Sequence, residues 1–394
     1  MPEEKASSFE IILGTYEEFT LGYKFCYKDK KCSLVQSFAT HDHSGSVRTI
    51  SSEGRYAATG ASDDRAIIYD MLKRREQSVL THHNGTVNSV VFTPDGTHLI
   101  TASDDGVLAA VRCGNWQVEK VWPKAHGGTP VKFIAVHPSG KLALTLGNDI
   151  TLRTWNLIKG RQAYVVRLQP HMRSADTVAW SSDEKTFVIF SQKHLELWSI
   201  DQGGCLMKTE RKLLISSVQW IGDHIIVGHE NGSIVILDRS LNVIVEDLTH
   251  TVRIKCISSF NSKWIITADS SGKIIVWKWR KNKLIKKCDT NAGCRITCMT
   301  IVKPITFAKD ELKTENVAEV VENEETISDI DDDGNTSKKR KSIAYIVEEH
   351  DDSDNNEDQK VKKKKTKHLK KQKIQTDHKI KEKVRKGKRK KNET

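Results

Sequence analysis

Six strand-like runs of small and β-forming residues end in a bulky apolar residue, at Tyr69, Val111, Trp155, Trp198, Leu237 and Trp277, with spacings of 42, 44, 43, 39 and 40 residues. A period of about 40–45 residues built from short strands is the signature of a β-propeller blade. Such a unit cannot bury its faces alone, so the repeat itself demands a ring of stacked neighbours.

Each unit holds three legible strands. The first alternates in polarity, as in Val87-Asn88-Ser89-Val90-Val91-Phe92, and a tight turn follows, Thr93-Pro94-Asp95-Gly96 or His137-Pro138-Ser139-Gly140. Proline presets φ at the second turn position, and glycine tolerates the positive φ that closes the hairpin. The second strand is more uniformly apolar, as in Leu142-Ala143-Leu144-Thr145-Leu146, which predicts cover on both faces. The third carries the marker residue, as in Thr151-Leu152-Arg153-Thr154-Trp155.

Six residues before each marker stands a polar turn residue: Asp63, Asp105, Asp149, Gln192, Asn231 and Ser271. His43, His83 and His250 lie four residues ahead of Val47, Val87 and Ile254, and His126 lies five ahead of Val131, where Pro130 adds one. These positions resemble the WD-repeat family, in which a loop His, a turn Asp and a strand Trp form a buried network inside one blade. The resemblance implies such sets at His43 with Asp63, at His83 with Asp105, and at His126 with Asp149 and Trp155. Units four to six lack the turn Asp and the fourth also lacks the His, so no network is assigned to them. Nor does a Trp-Asp dipeptide occur anywhere in the chain.

Apolar segments lie outside both ends of the six units: Phe9 to Leu13, Phe19 to Phe25 and Ser33 to Phe38 before them, and Cys294 to Val302 after. The expected fold is all-β, a seven-bladed WD-repeat β-propeller over 9–303, with a composite seventh blade from 9–38 and 294–302. Pairing the chain ends in this way removes open sheet edges. A six-bladed ring with a stray N-terminal hairpin is the alternative. Residues 1–8 and 304–394 are expected to be disordered.

Met1 to Ser8 is polar and lacks the apolar core of a signal peptide, and no apolar stretch approaches the ~18 residues needed to span a bilayer. A soluble, non-secreted protein is expected. The eight cysteines are scattered, without a Cys-x-x-Cys pair, which predicts free thiols in a reducing compartment and no metal. No cofactor, membrane or small-molecule substrate is expected.

Net charge is +12, but its distribution is more telling. Residues 310–358 hold 18 acidic and 5 basic side chains, whereas 360–394 hold 18 basic and 3 acidic ones. Such blocks bury too little apolar surface to fold and serve as interaction tails. The basic clusters are Lys338, Lys339, Arg340 and Lys341; Lys362, Lys363, Lys364 and Lys365; and Arg385, Lys386, Lys388, Arg389, Lys390 and Lys391. They read as nuclear or nucleolar targeting signals and as RNA-phosphate contacts. No aromatics interleave with them, so base stacking and sequence readout are not supported. Ser328 and Ser353, each followed by carboxylates, resemble casein kinase 2 acceptors.

Beyond the generic repeat, His137-Pro138-Ser139-Gly140-Lys141-Leu142-Ala143-Leu144, Thr151 to Leu157 with Gly160-Arg161, Thr59-Gly60-Ala61-Ser62-Asp63 and Ile68-Tyr69-Asp70-Met71 stand out, together with the lysine-rich end. They resemble the PAK-interacting protein 1-like and fungal Mak-type WD-repeat family. The resemblance implies a nucleolar scaffold that works with large-subunit ribosome assembly factors and pre-rRNA. Animal members are also described as negative regulators of p21-activated protein kinases. Val111-Arg112 stands where the family has Trp-Asp, which predicts a looser outer edge in the second blade. Catalytic signatures are missing: there is no Gly-x-x-x-x-Gly-Lys loop, His-Glu-x-x-His pair or Gly-x-Ser-x-Gly elbow. A non-enzymatic binding platform is therefore expected.

Overall fold

The computed structural model describes residues 7–28 and 31–303. Three N-terminal strands, β1 (Ser7–Thr15), β2 (Thr20–Lys28) and β3 (Lys31–Thr40), come first. Six four-stranded meanders follow: β4 (Val47–Glu53) to β7 (Arg75–Leu80), β8 (Val87–Phe92) to β11 (Gln117–Trp122), and β12 (Val131–Val136) to β15 (Arg161–Arg167). Next are β16 (Thr177–Trp180) to β19 (Gly204–Glu210), β20 (Ile215–Ile221) to β23 (Val243–Asp247), and β24 (Ile254–Phe260) to β27 (Lys283–Asn291). The last strand, β28 (Ile296–Val302), pairs with β1 and completes a seventh sheet in the order β28-β1-β2-β3. The result is a seven-bladed β-propeller. Its innermost strands, β4, β8, β12, β16, β20, β24 and β28, touch one another in a closed circle.

The closing blade is longer than the sequence suggests. Ser7 pairs with Tyr27 and Ser8 with Cys26, so the strand takes in two residues expected to be disordered. The long β2 supplies a ladder partner, which polarity alone does not reveal. Each repeat also has a fourth strand where the sequence shows three. These outer strands, such as β15 with its pattern of mostly exposed residues, have one edge and much of both faces in water, so no apolar period marks them. The acidic block 310–358, the lysine clusters at 338–341, 362–365 and 385–391, and Ser328 and Ser353 lie outside the described residues.

The core is distributed rather than central. Seven apolar clusters correspond one to one with the seven blade interfaces. In one of them, Ile100, Ala102, Leu108 and Ala110 of the second blade meet Val131, Ile134, Ala143 and Trp155 of the third. This explains why the second strands are apolar throughout: each is covered by a blade on either side. Near the axis, backbone groups with no ladder partner of their own are satisfied across the interfaces. Thr49 Oγ1 accepts the Val90 N–H at 3.2 Å, Ser89 Oγ accepts the Ile134 N–H at 3.2 Å, and the Trp220 indole donates to Ala179 O at 3.0 Å. Turn glycines fit the blades together. At Gly232 (φ +89°) a Cβ would lie 2.3 Å from the carbonyl oxygen of His250 in the next blade, so only glycine permits the approach.

Candidate functional site

The sixth blade contains a complete polar relay. The Trp277 indole N–H donates to Thr267 Oγ1 at 2.9 Å, Thr267 Oγ1 lies 2.8 Å from His250 Nε2, and His250 Nδ1 lies 2.8 Å from Asp269 Oδ2. Asp269 Oδ1 accepts the Ser271 N–H at 2.9 Å and the Lys273 N–H at 3.1 Å. One donor order satisfies every atom: indole to hydroxyl, hydroxyl to imidazole, imidazole N–H to carboxylate. A chain of donors ending on a charge in a dry interior is mutually polarising, and it rigidifies the blade because no member is left unpaired.

The third blade repeats the relay. Trp155 donates to Thr145 at 2.8 Å, Thr145 lies 2.7 Å from His126 Nε2, and His126 Nδ1 lies 2.9 Å from Asp149 Oδ1. Arg153 adds an ion pair to Asp149 Oδ2 at 2.9 Å. In the first blade His43 lies 3.0 Å from Asp63 and 2.7 Å from Thr59, with Tyr69 in the tryptophan's place. In the second, His83 lies 3.0 Å from Asp105 and 2.9 Å from Thr101. The Val111 side chain has no N–H to offer, and His82 Nε2 reaches Thr101 Oγ1 at 2.9 Å instead, its ring 4.3 Å from that of His83. The outer edge of this blade is not loose. Its third strand, β10 (Leu108–Arg112), is paired along its whole length with β11, and Val111 is fully buried.

Two expectations need correction. The sixth unit has not lost its acid: Asp269 fills the role from the end of β25 (Trp264–Asp269), two residues before Ser271. Counting a fixed offset back from the tryptophan misses it, because the carboxylate has moved from the turn into the strand. The fourth unit has a substitute network, in which buried Glu196 accepts from the Trp198 indole at 2.9 Å and lies 2.8 Å from His171. The threonines were also overlooked. Thr59, Thr101, Thr145 and Thr267 each stand ten residues before the marker, a spacing as regular as that of the histidines.

Burial pushes the Asp63, Asp105, Asp149 and Asp269 carboxyls up, but their hydrogen bonds outweigh it and hold all four below the usual range. Burial draws the His43, His83, His126 and His250 imidazoles below their ordinary value, against the pull of the paired carboxylates. His82 is lowered to about 4, by burial first and then by His83. In the window just below about pH 6.5 the unfolded chain therefore takes up protons that the folded chain refuses, so stability falls as pH falls. The carboxylates add their loss only from about pH 4 downward. The melting temperature is expected to drop between pH 7 and pH 5 in buffers of constant ionic strength. A flat profile over that range would contradict the neutral relay.

No catalytic grouping emerges from these sets; each closes on itself inside a blade. Among the described residues there is no cluster of three or more metal-ligating side chains, and no helix is long and apolar enough to cross a membrane. The eight cysteines are free. The surface carries an open cleft of about 510 Å³ beside the outer strands β15 and β19, reached by Arg167, His171, Glu196, Leu206, Met207 and Lys208. Tyr164 and Val165 on β15, and Leu206 and Met207 on β19, are exposed nearby.

Seven four-stranded blades, four of them pinned by His–Thr–Asp relays, define a WD-repeat propeller. The family model for the WD domain, G-beta repeat, matches residues 32–70, 74–109 and 243–278. The chain is 32% identical over 307 residues to p21-activated protein kinase-interacting protein 1-like of Danio rerio, covering 75% of this chain and 81% of that one. It is 30% identical over 295 residues to Shk1 kinase-binding protein 15 of Schizosaccharomyces pombe, covering 73% and 83%. To Protein MAK11 of Saccharomyces cerevisiae it is 23% identical over 377 residues, covering 81% and 90%. The chain belongs to the p21-activated protein kinase-interacting protein 1-like family of WD-repeat proteins.

Proposed function

We propose that this protein is a non-enzymatic scaffold in nucleolar assembly of the large ribosomal subunit, its propeller binding assembly factors and its basic end contacting pre-rRNA. One observation carries the reading: a ring-shaped platform is joined to blocks of net −13 (310–358) and +15 (360–394). Lysine runs without interleaved aromatics suit phosphate contact rather than base readout, and segregated charge exceeds what a solubilising spacer needs. The likeness to the Mak-type relatives supports the same reading. Co-sedimentation with large-subunit precursors on a sucrose gradient tests it, and absence from those fractions would overturn it.

Removing residues 360–394 turns the net charge of the chain from +12 to slightly acidic. The truncated protein is expected to lose nucleolar accumulation and most of its RNA affinity while the propeller melts unchanged. RNA binding by the intact chain should weaken steeply with salt, because phosphate contact releases counterions. Full nucleolar retention after truncation would move the targeting to the propeller.

A second reading is negative regulation of a p21-activated protein kinase through the propeller; the relatives' names support kinase binding, and the sign of the effect is part of the proposal. Pull-down of such a kinase by the propeller, with loss of kinase activity in its presence, is the expected result. Because the tail plays no part in this role, truncation at residue 360 should leave it intact.

A further inference from the structure

Arg48, Lys132, Asp176 and Lys255 occupy one equivalent position in four of the seven innermost strands. In the first, third and sixth blades this is the residue the ladder skips, between Val47 and Thr49, between Val131 and Phe133, and between Ile254 and Cys256. In the fourth it is the residue directly before β16, whose first pair joins Thr177 to Phe190. A bulge frees its extra residue from the ladder and re-aims the side chain. Each position lies at the same end of an innermost strand, and those strands form a closed circle, so the four encircle one mouth of the axial channel.

The other three blades place Asn88, Ser216 and Thr297 there, and all three are committed. Asn88 donates to Val131 O at 3.0 Å, Ser216 to Gly228 O at 3.0 Å and Thr297 to Gly14 O at 2.9 Å. The cations are not. Among the described residues, Arg48, Lys132 and Lys255 make no side-chain hydrogen bond and no close ion pair. They come from blades one, three and six, so no two are adjacent and the positive charge surrounds the axis.

The Asp176 carboxyl remains accessible to water although protein crowds it on most sides, as expected at the lip of a channel. That crowding pushes its pKa up; a hydrogen bond from Thr177 Oγ1 at 3.2 Å pulls against it first, and the charges of Lys255, Lys132 and Arg253 after it. The charges of lysines from the third and sixth blades therefore both act on the carboxylate of the fourth, without a close ion pair. Lys255 and Arg48 likewise both act on Cys298 of the closing blade. Arg253 is itself paired with Glu230 at 3.5 Å.

We propose that this mouth binds a phosphate monoester carried on an extended segment of a partner protein. Three cations and one carboxylate leave a net charge of +2, which matches the roughly −1.5 to −2 of a phosphorylated side chain. A phosphodiester in a nucleic-acid backbone brings a single charge to the same place and matches it less well. The site stands whichever partners the propeller assembles, so it goes beyond the ribosomal reading.

The test is titration calorimetry of the full chain against a Gly-Ser peptide carrying one phosphoserine and against the same peptide unphosphorylated. The phosphopeptide is expected to bind about tenfold more tightly or better, since charge-assisted contacts are the strong ones. K132Q/K255Q should abolish that preference while leaving the melting temperature close to that of the parent, because neither lysine makes a side-chain hydrogen bond or a close ion pair among the described residues and their pull on Asp176 acts only at longer range. Asp176→Asn should strengthen phosphopeptide binding severalfold by removing a like charge. If the double variant folds poorly, Arg48→Gln alone should still reduce the preference. A phosphopeptide preference that survives every channel substitution would assign it to the lysine-rich end and overturn the proposal. So would weaker binding by Asp176→Asn, or a single-stranded RNA whose affinity falls in K132Q/K255Q while that of the phosphopeptide does not.

Discussion

A chain lacking residues 1–30 is expected to lose its cooperative thermal transition and to aggregate. The deletion removes β1 and β2, and with them Phe9, Ile11, Leu13, Leu21, Tyr23, Phe25 and Tyr27 from the interface with the sixth blade. Fully burying a side chain of this kind is worth about 1.5–3 kcal/mol, so the loss comes to roughly 10–20 kcal/mol. That equals or exceeds the whole stability of a typical folded protein, about 5–15 kcal/mol. The damage is not confined to one blade. Trp264, packed against Phe25 at 5.0 Å and Tyr27 at 5.2 Å, is laid open, and β28 is left without its only partner within the blade. An unpaired strand beside the channel is a template for intermolecular pairing. Circular dichroism and tryptophan emission during heating are the measurements. A truncated chain that melts in one step near the temperature of the intact protein would show that the ring tolerates six blades.

Trp277→Ala should be the most damaging single substitution in the sixth blade, at about 3–5 kcal/mol. The side chain is 1% exposed and is held among Ile226, Ile236, Ile254 and Ile265, so truncation leaves a cavity that two blades line. Trp277→Phe separates packing from the relay. It keeps most of the bulk but removes the indole N–H donated to Thr267, at a cost of about 1 kcal/mol. Asp269→Ala should follow at about 1–3 kcal/mol, since it strands His250 and two backbone N–H groups in a dry interior. Ser271→Ala should be milder, because it removes only one of the hydrogen bonds that Asp269 accepts. Chemical denaturation of the four variants gives the order. If Ser271→Ala were as harmful as Asp269→Ala, the carboxylate would not be the end of the relay.

The architecture was legible because propellers write their period into the chain. The spacing of Tyr69, Val111, Trp155, Trp198, Leu237 and Trp277, with the apolar segments beyond both ends, favoured seven blades and a composite closure over a six-bladed ring. Histidine offsets located three relays by the same arithmetic, since a loop, a hairpin and a strand of near-constant length place their side chains alike in each repeat. The arithmetic failed wherever a residue kept its spatial role but moved along the chain. Asp269 serves from a strand end instead of a turn, Glu196 replaces the loop–turn pair of the fourth blade, and His82 stands in for an indole that Val111 lacks. The outer strands were silent for a different reason: with water on one edge and most of both faces, they carry no hydrophobic period. The channel mouth belongs wholly to the tertiary structure. Arg48, Lys132, Asp176 and Lys255 lie 44 to 84 residues apart from one to the next and look like unrelated surface charges. Only closure of the ring, with a bulge repeated at the start of the innermost strands, brings them around one axis, and no local pattern encodes a relation that exists only between blades.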